Sequence, residues 1–120
     1  MKMIYPRLFP SCAAIAGVAC AFALISASWA LAQSAHPTVD VDITKFTFGP
    51  KDITVAPGTR IRWTNHDEAP HTVAANDKTF ASKGLDTDDA FEHEFATEGD
   101  FAYICTVHPF MTGVVHVKKQ

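Results

Sequence analysis

Beyond residue 38 the apolar residues recur at every second position in short runs, and Gly or Pro ends most runs before they lengthen. Val39, Val41 and Ile43 alternate with Asp40, Asp42 and Thr44, the period of a half-buried strand. Phe46 and Phe48 extend that run to Gly49-Pro50. Ile53 and Val55 form a second strand, closed by the turn-forming pair Pro57-Gly58. Ile61 and Trp63 continue the alternation over 59–65, residues 66–70 read as a loop, and 71–74 as the strand that leaves it. Residues 76–89 are polar and irregular, with room for one helical turn at most. Phe91 and Phe95 share a strand face with His93 between them, Gly99-Asp100 turns the chain into 101–105, and 114–117 closes it. No amphipathic helix of credible length interrupts the series. The pattern predicts an all-β chain: a two-sheet Greek-key β-sandwich of about seven or eight strands. Both sheets are expected to be antiparallel, with Phe46, Trp63, Phe91 and Phe95 in the shared core.

The first third of the chain obeys a different rule. Positions 8–35 carry no charge, Lys2 and Arg7 precede them, and all thirteen carboxylates follow. A short basic segment, an apolar Ala-rich run and small residues at Ala30 and Ala32 form the pattern of a signal peptide cleaved after Ala32. An uncleaved membrane anchor fits the length of the run but not its ending. Gly17-Val18-Ala19 before Cys20 is a poor lipoprotein signal, and with no Arg-Arg pair the general secretory route is expected. The domains are therefore a signal peptide, 1–32, and one exported domain, 33–120, placed in the periplasm. Lys2 and Arg7 leave with the signal, so eight basic side chains face thirteen acidic ones and the net charge is −5. That balance disfavours nucleic acid as a partner.

Cys12, Cys20, Met1 and Met3 leave as well. The exported domain keeps all six His but a single Cys, Cys105, and a single Met, Met111. One Cys cannot make an internal disulfide, and a free thiol in an oxidising compartment is a liability unless it is buried or bound to metal. Cys105-Thr106-Val107-His108-Pro109-Phe110-Met111 spaces a thiolate, an imidazole and a thioether three residues apart on a loop between strands. His71, after Pro70, is a fourth candidate. A Cys/His/His set with a long axial Met is the arrangement of electron-transfer copper. Alone, Cys105 reads as a small buried hydrophobe, His108 and His71 as ordinary loop and strand histidines, and Met111 as core filler. Together they read as one metal site. Met suits zinc poorly, covalent haem needs a second Cys, and a Cys-His hydrolase would need an oxyanion loop that the chain lacks.

From Val39 to Lys118 the chain resembles the small type 1 blue copper proteins, the cupredoxins, and among them the amicyanins. The resemblance rests on Trp63-Thr64-Asn65, Pro70-His71, the run from Gly99 to Cys105, and the Cys-x2-His-x2-Met loop. It implies one type 1 copper ion held by His71, Cys105 and His108 in the equatorial plane and by Met111 axially. It also implies that Asn65 ties the His71 loop to the Cys105 loop. Two positions depart from the family. Thr72 stands where Asn is common, with a hydroxyl of shorter reach for the same bond across the loops. Val107 stands where amicyanins have Pro, and its N–H is expected to donate to the Cys105 sulfur.

Four ligands leave no position for substrate, so the expectation is a one-electron carrier between periplasmic redox proteins and not an enzyme. Electrons would pass at the edge of His108, inside an apolar docking rim of Pro70, Pro109 and Phe110, through a weak, transient interface. The protein is expected to be monomeric, with no membrane insertion after signal cleavage, and its net charge suggests partners with basic patches. A copper storage, delivery or tolerance module is the alternative. His36, His66, His93 and His116 match no ligand position, although His66 precedes His71 closely.

Overall fold

The computed structural model describes residues 35–120, so the signal peptide assigned to 1–32 lies outside the described residues. Eight strands follow in order: β1 Thr38–Thr44, β2 Thr47–Gly49, β3 Asp52–Val55, β4 Thr59–Asn65, β5 Ala74–Ala75, β6 Ala90–Phe95, β7 Gly99–Ile104 and β8 Thr112–Val117. They form two four-stranded sheets, β2-β1-β4-β6 and β3-β8-β7-β5, packed as a cupredoxin-like sandwich. Neither sheet is wholly antiparallel. After the β1–β2 hairpin the chain crosses to the second sheet as β3, then returns through Pro57-Gly58 to lie parallel to β1 as β4. β3 in turn pairs parallel with β8. Gly58, at φ 89°, supplies the left-handed conformation that this return requires.

The alternation read from sequence sets the faces. Ile61, Trp63, Phe95, Tyr103, Val115 and Val117 point inward and are almost fully buried. Trp63 stacks on Phe80 and Phe91 and meets Tyr103 edge-on. Neither the Trp63 Nε1 nor the Tyr103 hydroxyl finds a partner of good hydrogen-bond geometry. Burial pushes the Tyr103 phenol up to about 12, and the indole N–H offsets only part of that rise. The stretch 76–89, irregular as expected, contributes two core side chains, Phe80 and Leu85.

Phe46 departs from expectation. It does not join the core but stays 39% exposed, because β1 stops at Thr44 and Lys45 and Phe46 turn through φ 51° and 58°. Two successive left-handed residues make a tight hairpin turn, and here neither is glycine. His71 likewise belongs to no strand. It makes an isolated antiparallel bridge to Leu85, while the strand expected at 71–74 shrinks to the two residues of β5.

The same alternation delivers the candidate site to one end of the sandwich. Trp63 and Asn65 are inward on β4. Tyr103 on β7 and the following Cys105 are both buried. Met111 and Gly113 point inward where β8 begins. A Cβ on Gly113 would lie 2.4 Å from the Tyr103 ring, so only glycine lets β8 pass this close to β7.

Candidate metal centre

His71, Cys105 and His108 come together although 34 residues separate the first two. His71 Nδ1 and His108 Nδ1 lie 3.2 Å apart, and each is 3.8 Å from Cys105 Sγ. A triangle with these sides has its centre about 2.1 Å from every corner, within the roughly 2.0–2.3 Å at which imidazole nitrogen and thiolate sulfur bind a borderline transition metal. Among the described residues this is the one cluster of His, Cys, Asp or Glu with metal-binding spacing. The donor set fits copper.

Cys105 and His71 are fully buried, whereas His108 is half-buried. Burial pushes the Cys105 thiol up, but the Thr72 N–H donating at 3.3 Å, both imidazoles and the His108 amide together bring it down to about 6. The sulfur is thus prepared as a thiolate, the form that binds metal. The loop that carries it is closed by Cys105 N–H donating to the Met111 carbonyl and Met111 N–H to the His108 carbonyl, at 3.1 and 2.9 Å. Met111 is buried at its end.

Asp67 completes the His71 side. Its carboxylate lies 2.9 Å from His71 Nε2 and accepts the Lys45 and Phe46 backbone N–H groups at 2.6 and 2.9 Å. With its Nε2 proton committed to Asp67, His71 presents the Nδ1 lone pair to the centre. Partial burial pushes the Asp67 carboxyl up, and these hydrogen bonds more than reverse it, leaving it below the usual range. The turn held in this way sets Phe46 edge-on to both imidazoles, with centroids 5.2 Å from His71 and 5.0 Å from His108. Sequence reasoning missed both residues. The signal for Phe46 was a slip of phase, since the apolar positions run odd through Ile43 and even from Phe46.

Two expected roles change, those of Asn65 and Val107. Asn65 does not reach the Cys105 loop: its side-chain N–H groups donate to the carbonyls of Ala69 and Leu85, and its oxygen accepts from the Asp67 amide. At the end of β4, it ties the His71 loop to the Leu85 segment. The link to the Cys105 loop is made by Thr72, whose hydroxyl accepts the Thr106 N–H and lies 2.7 Å from the Thr106 hydroxyl. Threonine's short reach suffices because β5 and β7 bring the two loops side by side. Val107 is 53% exposed, and none of the hydrogen bonds at Cys105 Sγ comes from it. Pro70, Pro109 and Phe110 are exposed as expected. His66 bonds Asp42 on the surface.

A β-sandwich whose one end converges two imidazoles on a buried thiolate defines a type 1 copper electron-transfer protein. Residues 35–118 match the family of copper binding proteins described as plastocyanin/azurin, and the chain belongs to that family. It is 32% identical over 113 residues to amicyanin-alpha of Methylorubrum extorquens, spanning 83% of this chain and 95% of that one. The crystal structure of amicyanin from Paracoccus versutus superposes with a TM-score of 0.62 at 32% identity, covering 68% of this chain and 81% of that one. A purple cupredoxin from Nitrosopumilus maritimus gives 0.63 at 31% identity, covering 67% and 99%. With these relatives the chain is an electron carrier and not an enzyme.

Proposed function

We propose that one copper ion is held by His71, Cys105 and His108 with Met111 as the axial ligand, and that the protein carries single electrons between periplasmic redox proteins after cleavage behind Ala32. The convergence of two Nδ1 atoms and one Sγ on a common point carries this reading. Copper bound there supplies a one-electron Cu(II)/Cu(I) couple. The chain's part is to keep its donors in one arrangement: Asp67 orients His71, Thr72 and Thr106 lock the two loops, and the Thr72 amide steadies the sulfur. A site fixed in this way reorganises little on electron transfer. Burial of Cys105, His71 and Met111 favours a carrier over a storage or delivery module, which needs donors open to exchange.

His108 is the port, being the half-buried member of the set. Around it lie Pro70, Pro109 and Phe110, joined by Phe46 and Val107. Such a rim suits a small, short-lived interface with a redox partner, and the carrier acts as a monomer. Cys105→Ser tests the assignment most directly. The copper-loaded protein is expected to absorb intensely in the visible through thiolate-to-Cu(II) charge transfer, and the variant to lose that band while remaining folded. An intense band retained in C105S would refute it.

A further inference from the structure

Beside Met111 the β1–β2 turn and the Cys105–Met111 loop leave a groove of about 270 Å³ between them. Phe46 and Phe110 form its apolar walls, and Lys45 and Lys51 are its charged residues; no carboxylate lines it. Phe110 is 71% exposed. Both lysines are exposed, and among the described residues neither is within ion-pair distance of a carboxylate, whereas Arg60 and Arg62 are paired with Asp40, Glu92 and Glu94 on the outer face of the first sheet. Asp67, the carboxylate bound to this turn, is spent on backbone amides and His71. A chain whose residues 33–120 carry thirteen acidic against eight basic side chains thus places two unneutralised cations at the rim of its redox centre.

Resting on the electron-carrier reading above, we infer that this groove is the specificity element of the docking surface. It selects a redox partner that presents carboxylates beside an apolar patch, with the carboxylates seated against Lys45 and Lys51 and the apolar patch on Phe46 and Phe110. The net charge governs long-range encounter, but within a Debye length of the groove, about 8 Å at physiological ionic strength, the two lysines that line it set the local field. The partner's docking face is therefore acidic, although the chain as a whole would attract a basic one.

Hexacyanochromate(III), an inert paramagnetic trianion, locates the field without any electron transfer. Added to the ¹⁵N-labelled metal-free protein, it should broaden the amides of Lys45, Thr47, Lys51 and Thr112 selectively, and this should vanish in K45E/K51E. Broadening that is absent, or scattered over other lysines, overturns the groove. Kinetics on the reduced copper protein supply the second arm. Ferricyanide takes one electron from the centre and becomes ferrocyanide. K45E/K51E should slow it roughly tenfold at low ionic strength and speed oxidation by the cationic tris(phenanthroline)cobalt(III), both effects fading with salt. Equal slowing with both oxidants, or no change with either, overturns the proposal, and K45Q/K51Q should give half-way values if charge is the cause. Groove binding of the trianion in a protein that forms no redox-active copper site would support the anion-selective groove and defeat the electron-carrier reading alone.

Discussion

His71 reaches the centre from a buried bridge to Leu85, with its far nitrogen on Asp67 and its loop tied down by Asn65. His108 reaches the same point from a surface loop, between two residues more than half exposed within two positions of it, Val107 and Phe110. Among the described residues no carboxylate is hydrogen-bonded to the His108 ring. One histidine is held by hydrogen bonds from behind, the other by ring contacts from the side with Phe46 and Phe110. The difference separates two jobs. In the proposed carrier the buried flank would fix the donor geometry, and the open flank would bring a donor's edge to the surface for a partner to meet.

Removing Asp67 should break this contrast most severely. Asp67→Ala leaves the Lys45 and Phe46 amides and the His71 N–H without their acceptor, and frees a strained turn. The expected loss is about 1–3 kcal/mol of stability, chiefly from the buried His71 N–H, since the two turn amides are exposed to water, together with roughly 10–100-fold weaker metal binding. Denaturant melts and copper competition titrations measure the two effects. A variant as stable as the parent would show that the His71 flank is held by packing alone.

Phe46 joins the flanks, and two substitutions separate what it does. Phe46→Ala removes both edge-on ring contacts and should cost about 1–2 kcal/mol, since aromatic pairs of this kind are worth about 0.5–1.5 kcal/mol each. Phe46→Gly also removes them but relieves the left-handed strain, recovering about 1 kcal/mol. If F46G proves no more stable than F46A, strain is not stored at this turn.

His93 supplies a reference outside both flanks. It faces inward on β6 against Phe80 and Phe95, and burial holds its pKa below the ordinary 6.5, with Glu94 opposing only weakly. Below pH 6.5 the unfolded chain therefore binds more protons than the folded one, so stability falls as pH drops through that window and levels off below the folded value. His93→Phe should flatten this part of the pH profile in denaturant melts between pH 7.5 and 5.5. A slope that survives the substitution belongs to another group.

Cys105 and His108 were legible in the sequence because their spacing is local: they lie on one loop, and period-two alternation turns both stems of that loop inward. His71, 34 residues from Cys105, was only a candidate until the family resemblance placed it with them. The sandwich was legible for the same reason. What held the donors was less so. Asp67 is four residues from His71 in a loop, where sequence spacing fixes no direction. Leu85 looked like part of a polar connector until the fold paired it with His71. Parallel pairing of β1 with β4 depends on where β3 crosses between sheets, which no local pattern records. Thr72 makes its expected bond across the loops, whereas Asn65 turns to Ala69 and Leu85, because residue type alone does not decide which loop a side chain reaches.

The smallest effect is expected at Val107, and it tests how loosely the open flank is held. Among the described residues its N–H has no acceptor, and the backbone donors near the sulfur are Thr72 and His108. Val107 is also absent from the residues of positive φ, so proline removes nothing the fold uses, provided Thr106 keeps an extended backbone. Val107→Pro should then stabilise the protein by about 0.4–1 kcal/mol, because it restricts the unfolded chain, and leave the visible band and reduction potential unchanged. A lower potential with an intact band would mean that the Val107 amide does reach the thiolate in the copper-loaded protein. A loss of stability would mean that the loop cannot accept proline's φ, and that the His108 flank is as tightly determined as the one held by Asp67.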